Sequence, residues 1–381
     1  GTPGNRVTPR LVRLYREWAR GGTGLLVTGN VMVDRRAIGE PCNVVLENNR
    51  DKRLLERWAL AGREQNTHIW MQLNHPGKQA PKALNRGAVA PSAVPFSDPK
   101  LGRFFHLPRA LTQAEIADIV RRFGESAALA RDAGFTGVQI HGAHGYLVSQ
   151  FLSPLSNQRE DEYGGNAENR RRFVLEVYDA IRGRVGDDFP VSIKLNSADF
   201  QKGGFEEGES LQVVEALAQR GMDLIEISGG TYESPRMAGQ GVKESTRRRE
   251  AYFLDYAEQV RQRVTVPLMV TGGFRTLEGM NSALADGATD MVGLARPLVV
   301  EPDLSQRLLD GRARDCRVKP IRTGVRMVDE AAMMEVSWYT LQLVRIARGK
   351  APLPDAGGLS SLLKVAGVVG WRRLRMGRLR A

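Results

Sequence analysis

GVQIHGAHGYLVSQFLSP, residues 137–154, carries both the fold and the chemistry of this chain. Its first five residues, Gly137–His141, form a short strand-like run around the β-branched Val138 and Ile140. Most of the comparable runs in this chain are continuous rather than alternating, the mark of parallel strands covered on both faces. Polar groups crowd the end of the run. His141, His144 and Tyr146 fall within six positions, in a chain with only five histidines.

Working outward, the same kind of run recurs at Gly24–Val33, His68–Leu73, Val191–Leu195, Leu224–Ile227, Leu268–Thr271 and Met291–Leu294. Amphipathic helical patterns separate them. In Asn169–Val185 the residues Phe173, Val174, Val177, Ile181 and Val185 keep one face. Thr112-Gln113-Ala114-Glu115 is a capping box opening the helix that ends near Gly134. Glu209–Gly221, Tyr252–Val264 and Leu277–Gly287 behave likewise, and glycine closes several of these helices before the next strand.

Such alternation predicts an α/β fold with a parallel sheet, here a TIM (β/α)8 barrel. The chain opens in a helix, Pro9–Arg20, and seven strand runs are visible where the barrel needs eight. Either the first strand is missing or the fold is not a barrel; the expectation adopted is a barrel lacking its first strand, with strands Leu25–Val33 and Met291–Leu294 each leaving an edge towards the gap. Leu11, Leu14, Tyr15 and Trp18 place the opening helix on the outside of that barrel. His75 to Leu111, rich in Pro, Gly, Asn and Ser, reads as a long functional or covering loop. The barrel is expected over 1–318 and a helical, basic C-terminal extension over 319–381. In that extension Met333–Arg348 is a predicted helix, free to pack on the barrel or on a partner in a homo-oligomer.

Composition narrows the function classes. About 42% of the residues are apolar, enough for a large core. No run of eighteen apolar residues and no signal-like opening appear. Two cysteines, Cys42 and Cys316, make neither a disulfide framework nor a zinc cluster, and a cytoplasmic setting is expected. The net charge is +12, and WRRLRMGRLR at 371–380 holds five arginines without an acid. That tail is expected to be solvated, with at most weak contact to anionic surfaces and no specific nucleic acid.

Barrel active sites lie at the C-terminal ends of the strands, and the unusual residues of this sequence fall there. Gln72 ends its strand, and an amide can give both a donor and an acceptor to a planar ring or simply pack in the mouth. Lys194 lies in an otherwise apolar strand, where a buried ammonium needs an anion or an electron-rich acceptor, from the protein or from a ligand. Gly272-Gly273 and Ala295-Arg296 close the last two strands. Glycine backbone and a guanidinium suit a phosphate there, although one glycine pair alone could be a tight turn. Two imidazoles can donate to one carbonyl oxygen, and a phenol can supply a proton to a neighbouring carbon. Alone, His-x-x-His could be structural. Metal binding is disfavoured, because no carboxylate or cysteine shares the segment, and no metal is expected.

Taken in order, MQLNHPGKQ, QIHGAHGYLVSQFLSPLSNQREDEYGGNAENRRRF, VSIKLN, TGGFRT and MVGLARPL resemble the Old Yellow Enzyme family of FMN-dependent NAD(P)H:flavin oxidoreductases. The resemblance runs from about Gly24 to Arg312. It implies a cofactor, FMN, and a hydride donor, NADH or NADPH. It places Gln72 and Lys194 at the flavin pyrimidine edge, Gly29 beside the ring, and Gly272, Gly273, Ala295 and Arg296 at the phosphate. It makes His141 and His144 the carbonyl-binding pair and Tyr146 the proton donor, with an electrophilic alkene conjugated to a carbonyl as substrate. Asn157, Arg159, Tyr163-Gly164-Gly165 and Arg170 would brace the catalytic loop. Two other readings remain at this stage: an FMN barrel acting on RNA uridines, and a flavin-free scaffold.

Overall fold

The computed structural model describes residues 1–2, 4–230, 253–319, 321 and 333–358. The strands are β1 (Leu25–Val27), β2 (Val31–Met32), β3 (Val44–Val45), β4 (His68–Asn74), β5 (Val89–Ala90), β6 (Arg109–Ala110), β7 (Gly137–Gly142), β8 (Val191–Asn196), β9 (Leu224–Ser228), β10 (Leu268–Thr271) and β11 (Met291–Gly293). Seven of them pair in the order β1–β4–β7–β8–β9–β10–β11, parallel at every step. Parallel neighbours need crossover connections, and helices supply them. The first seven are α1 (Pro9–Arg20), α2 (Lys52–Gly62), α3 (Pro99–Gly102), α4 (Gln113–Asp132), α5 (Leu147–Leu152), α6 (Ala167–Val185) and α7 (Glu207–Gln219). The capping box at Thr112 forms as predicted, with hydrogen bonds in both directions between Thr112 and Glu115.

The sheet is rolled. Trp70, Leu224 and Met269 form one small buried cluster with Leu25 and Val27 packed against it. These residues come from β1, β4, β9 and β10, and the two pairs of strands are not neighbours in the ladder. They meet across the interior and plug it, as the side-chain layers of a TIM barrel do. The main core lies between the sheet and its helices, with Trp58, Phe123, Phe173 and Tyr178 almost fully buried.

Among the described residues β1 pairs only with β4, and β11 only with β10. The outer sides of β1 and β11 carry no ladder pair among these residues, whereas β2, the second half of the expected first run, has β3 on its far side through Val31–Val44 and Met32–Val45. Helix α1 bridges the outer sides of β1 and β11. Trp18 Nε1 donates to the Leu298 carbonyl beyond β11 at 2.8 Å, and the Gln306 amide donates to Gly21 O at 2.9 Å. Tyr15 and Leu14 are buried on its inner face, as its apolar spacing predicted. Helix Met333–Ile346 also packs on α1 and on helix Arg296–Val300. Its Trp338 is buried and donates from Nε1 to Ala356 O at 2.8 Å. The arginine-rich stretch 371–380 lies outside the described residues.

One expectation needs correction. Gly24–Val33 is not one strand. Val27 aligns with Trp70 and Val31 with Leu73, so four steps on one side match three on the other. The extra residue makes a bulge, and the Thr28 hydroxyl replaces the lost ladder bond by accepting from the Gln72 amide at 2.9 Å. The long segment after His75 carries local structure of its own. It contains a 3-10 turn at Gly77–Gln79, α3 and the β5–β6 pair. Phe96 and Phe105 are buried, with ring centroids 4.7 Å apart, and form its own small core.

The bracing expected around the β7 loop is present. Asn157 Nδ2 donates to Phe151 O at 2.8 Å and to Tyr163 O at 2.7 Å. Arg159 Nη1 donates to Pro91 O at 2.9 Å and Leu111 O at 2.6 Å, tying the insertion to this loop. Arg170 Nε donates to Leu152 O at 3.1 Å, and its guanidinium pairs with Glu209. Replacing Asn157 by Ala strands two carbonyls in a buried place. We expect Asn157→Ala to lower the unfolding free energy by about 2–4 kcal/mol. Urea unfolding would register this as a lower midpoint at an unchanged slope; an unchanged midpoint would mean that the loop is held otherwise.

Candidate active site at the mouth of the barrel

Four neighbouring strands each place one polar side chain at the same level of the mouth. Gln72 on β4 donates from Nε2 to Gln139 Oε1 on β7 at 2.7 Å. Gln139 donates from Nε2 to Glu226 Oε2 on β9 at 2.9 Å. The other oxygen of Glu226, Oε1, meets Lys194 Nζ on β8 at 2.8 Å. The strand register explains the arrangement, since Gln72 aligns with Gln139 and Lys194 with Glu226. All four are largely buried, and each pairing offsets a desolvation cost that none could bear alone.

Beyond this chain lies the β7 loop. His141 is 3% exposed, and its Nδ1 accepts from the Ala143 amide at 3.3 Å. The proton must then sit on Nε2, which makes Nε2 the donor nitrogen. The His144 ring lies edge-on to that of His141, with centroids 5.1 Å apart, and its Nε2 is 2.9 Å from Ser228 Oγ. The His144 backbone is left-handed, with φ 62°, a conformation uncommon outside glycine and typical of functional loops. The Tyr146 ring is 4.7 Å from that of His141, and its oxygen accepts from Asn30 Nδ2 at 3.2 Å. Burial, followed by the positive charge of Lys194, holds both imidazoles well below their usual pKa. They are neutral N–H donors near neutral pH.

The structure thus brings His141, His144 and Tyr146 together and sets Gln72 and Lys194 in one connected network. The ion pair left open as an alternative for Lys194 exists, with Glu226. At the bulge between β1 and β2, a Cβ added to Gly29 would meet nothing within 4 Å, and the Gly29 amide donates to the Tyr15 hydroxyl at 2.9 Å. At the end of β10, Gly272 and Gly273 have φ of 119° and 99°, so only glycine suits them. Ala295 precedes helix Arg296–Val300, and Arg296 Nη1 lies 3.2 Å from Glu335 Oε2. Its guanidinium already meets an anionic group. Open space beside a backbone, a donor–acceptor rim, a turn built for glycine and an arginine with an anion fit a flat ring carrying a phosphate. Sequence reasoning missed Asn30, Gln139, Ser228 and Glu226. Glu226 had a visible signal, a lone carboxylate inside the run LIEIS. Among the described residues no His, Cys, Asp and Glu cluster suits a metal ion.

Residues 2–315 match the model of the NADH:flavin oxidoreductase / NADH oxidase family, and the chain belongs to that family. It is 39% identical over 314 residues to the NADH-dependent flavin oxidoreductase iliE of Neonectria sp. (strain DH2), across 76% of this chain and 41% of that protein. To the NADH-dependent flavin oxidoreductase iccE of Talaromyces variabilis it is 35% identical over 368 residues, across 88% of this chain and 89% of that one. Among solved structures, a 2-naphthoyl-CoA reductase in complex with 2-naphthoyl-CoA shares the fold with a TM-score of 0.75 at 25% identity, over 82% of this chain and 49% of that one. The chain therefore spans less than half of iliE and of the reductase, and most of iccE. The resemblance to Old Yellow Enzyme read from the sequence is borne out, the chain is an oxidoreductase of this family, and its cofactors are FMN and a nicotinamide nucleotide. This sets aside the flavin-free scaffold, and nothing here supports an RNA substrate.

The buried imidazoles make stability depend on pH. Burial also pushes His75 down to about 4, while the unfolded chain protonates its imidazoles near ~6.5. In that window the unfolded state binds more protons than the folded one. The stabilising contribution is complete above ~6.5 and is lost as pH falls towards about 4. Each such histidine contributes up to about 1.4 kcal/mol per pH unit. Urea unfolding at pH 7.5 and 5.5 should show the drop, with a shallower slope in His144→Gln; equal stability at the two pH values would contradict neutral burial.

Proposed function

We propose that this chain reduces an electron-poor C=C bond conjugated to a carbonyl, drawing hydride from NADH or NADPH through FMN. The observation that carries the reading is the His141–His144–Tyr146 cluster, joined through Asn30 to the bulge that holds the open backbone of Gly29. Gln72 and Lys194 would meet the pyrimidine edge of the cofactor. Gly272, Gly273, Ala295 and Arg296 would hold its phosphate. When bound, FMN supplies the hydride chemistry, taking a hydride from the nicotinamide and passing it on.

The rest falls to the chain itself. His141 Nε2–H, with His144 beside it, would donate to the carbonyl oxygen of the alkene. These donors are neutral and fixed before the reaction, so negative charge developing on that oxygen is stabilised without reorganisation. Electron withdrawal through the carbonyl makes the β-carbon electrophilic. Tyr146 would deliver the proton to the α-carbon. Asn30, donating to the phenol oxygen, would stabilise the phenolate left behind. Family members named as NADH-dependent flavin oxidoreductases support the reductant, and the solved 2-naphthoyl-CoA reductase, bound to 2-naphthoyl-CoA, supports a conjugated carbonyl ligand. A cytoplasmic setting belongs to the same reading. It is consistent with a chain that has only two cysteines, and no helix among the described residues is long and apolar enough to cross a membrane.

Two substitutions test it. Tyr146→Phe should leave flavin reduction by NAD(P)H intact and slow reoxidation by an enone about 10²–10⁴-fold, the usual size of a general-acid contribution. Stopped-flow absorbance separates the two half-reactions; equal slowing of both, or of neither, removes Tyr146 from the proton step. Arg296→Ala should weaken FMN binding by about 1.5–3 kcal/mol, the usual range for a hydrogen bond to a charged group. Fluorescence titration with free FMN reads it, and an unchanged dissociation constant would take Arg296 off the phosphate.

A further inference from the structure

The buried chain across the mouth has a direction. Glu226 is paired with the Lys194 ammonium, and a carboxylate in such a pair can only accept hydrogen bonds. Gln139 must therefore turn its Nε2 towards Glu226, and the distance of 2.9 Å to Oε2 agrees. That choice leaves the carbonyl oxygen of Gln139 facing β4, where it accepts from Gln72 Nε2 at 2.7 Å. Gln72 in turn has its nitrogen committed to the wall, with its backbone amide fixed on Thr28. Its Oε1 is then the atom left for the mouth. One carboxylate sets the orientation of two amides in succession, and on its other side it holds the Lys194 ammonium.

We propose that Glu226 is a positioning residue for the cofactor, acting through Gln139 and Lys194. Through Gln139 it fixes Gln72 as an acceptor. Through its ion pair it holds Lys194 as a donor beside that acceptor. An imide edge, in which an N–H alternates with carbonyl oxygens, needs this alternation, and the pyrimidine edge of a flavin is such an imide. The inference rests on the reading that Gln72 and Lys194 meet that edge, and it assigns Glu226 and Gln139 a role which that reading does not contain. Glu226 has a second consequence. It neutralises Lys194, so the cofactor faces a compensated cation rather than a bare one.

The two roles predict different signatures. Gln139→Met breaks the relay and leaves the Lys194–Glu226 pair in place. It should weaken FMN binding about tenfold and weaken the imide N–H hydrogen bond. With ¹⁵N-labelled FMN that appears as an upfield shift and faster solvent exchange of the N–H resonance, at a nearly unchanged reduction potential. Glu226→Gln removes the charge. A neutral amide at 226 can turn its oxygen to Lys194 and its nitrogen to Gln139, which reverses both glutamines and points the Gln72 nitrogen at the mouth. The same N–H signature should follow. In addition, reduced FMN, which carries more negative charge, should gain about tenfold in affinity relative to oxidised FMN, raising the two-electron potential by about 30 mV.

Gln72→Met and Lys194→Met serve as references. If they alter FMN affinity and the N–H resonance while Gln139→Met and Glu226→Gln match the wild type, the positioning role is overturned and the cofactor reading stands. If neither reference variant changes anything, the cofactor reading falls and the proposal falls with it. Circular dichroism checks that each variant is folded. Gln139→Met keeps every charge, so it tests the relay even where Glu226→Gln does not fold.

Discussion

The Lys194–Glu226 ion pair is the constraint on which the barrel mouth depends. Its side chains are 15% and 5% exposed. Breaking one partner of such a pair leaves an uncompensated buried charge, typically at about 3–5 kcal/mol. The pair therefore persists, and its consequences spread in two directions. Through Glu226 it orders Gln139 and Gln72 across three strands. Through Lys194 it lowers the proton affinity of His141 and His144, adding to the effect of burial. The same cation that would face a flavin thus keeps the neighbouring donors neutral. A neutral imidazole with Nδ1 already bonded to Ala143 has one orientation of its proton, and so one way to address a substrate oxygen.

The second constraint is local backbone strain. His144 and Gly145 are both left-handed, with φ of 62° and 76°. A non-glycine residue in that region costs of order 1 kcal/mol and persists only where its surroundings hold it. Three contacts do so here. The His144 amide donates to Asn196 Oδ1 at 3.2 Å, its carbonyl accepts from Gln79 Nε2 at 3.0 Å, and its ring meets Ser228. These partners come from the ends of β8, the segment after β4 and the end of β9. The turn reverses the chain tightly enough to bring Tyr146 back over His141. An extended loop with the same sequence spacing would carry the phenol away from the imidazoles.

Much of this was legible beforehand because it is written in local pattern. Continuous apolar runs gave the strands, helical spacing gave α1 and α6, and Thr112-x-x-Glu115 gave a helix start. The residues of the His141–His144–Tyr146 cluster were visible because they are rare types at a strand end. What escaped detection depends on register between strands distant in sequence. Glu226 becomes a partner of Lys194 only once β8 and β9 align, and Gln139 looks like an ordinary polar residue until Gln72 lies beside it. The split of Gly24–Val33 was hidden for the same reason. A bulge is a mismatch between two strands, and one strand read alone gives no sign of it. Asn30 followed from that bulge, which turns its amide towards Tyr146.

Helix α1 links these features to the closure of the ring. The first and last strands of the ladder do not pair with each other among the described residues, so β1 has a strand neighbour on one side only. Its far side is positioned by α1. Tyr15 accepts from the Gly29 amide at the bulge, and Trp18, one helical turn further, accommodates the Leu298 carbonyl just after Arg296. Tyr15 and Trp18 also meet edge to face, with ring centroids 5.2 Å apart. Two ends of the proposed cofactor site, Gly29 and the helix that begins at Arg296, are thereby referred to one rigid helix. A ladder bond between strands fixes register at each residue, whereas two aromatic side chains fix it at two points. The spacing of the open backbone at Gly29 from the arginine at 296 is thus set mainly by the packing of Tyr15 and Trp18, and the core under α1 belongs to the site as much as to the stability of the fold.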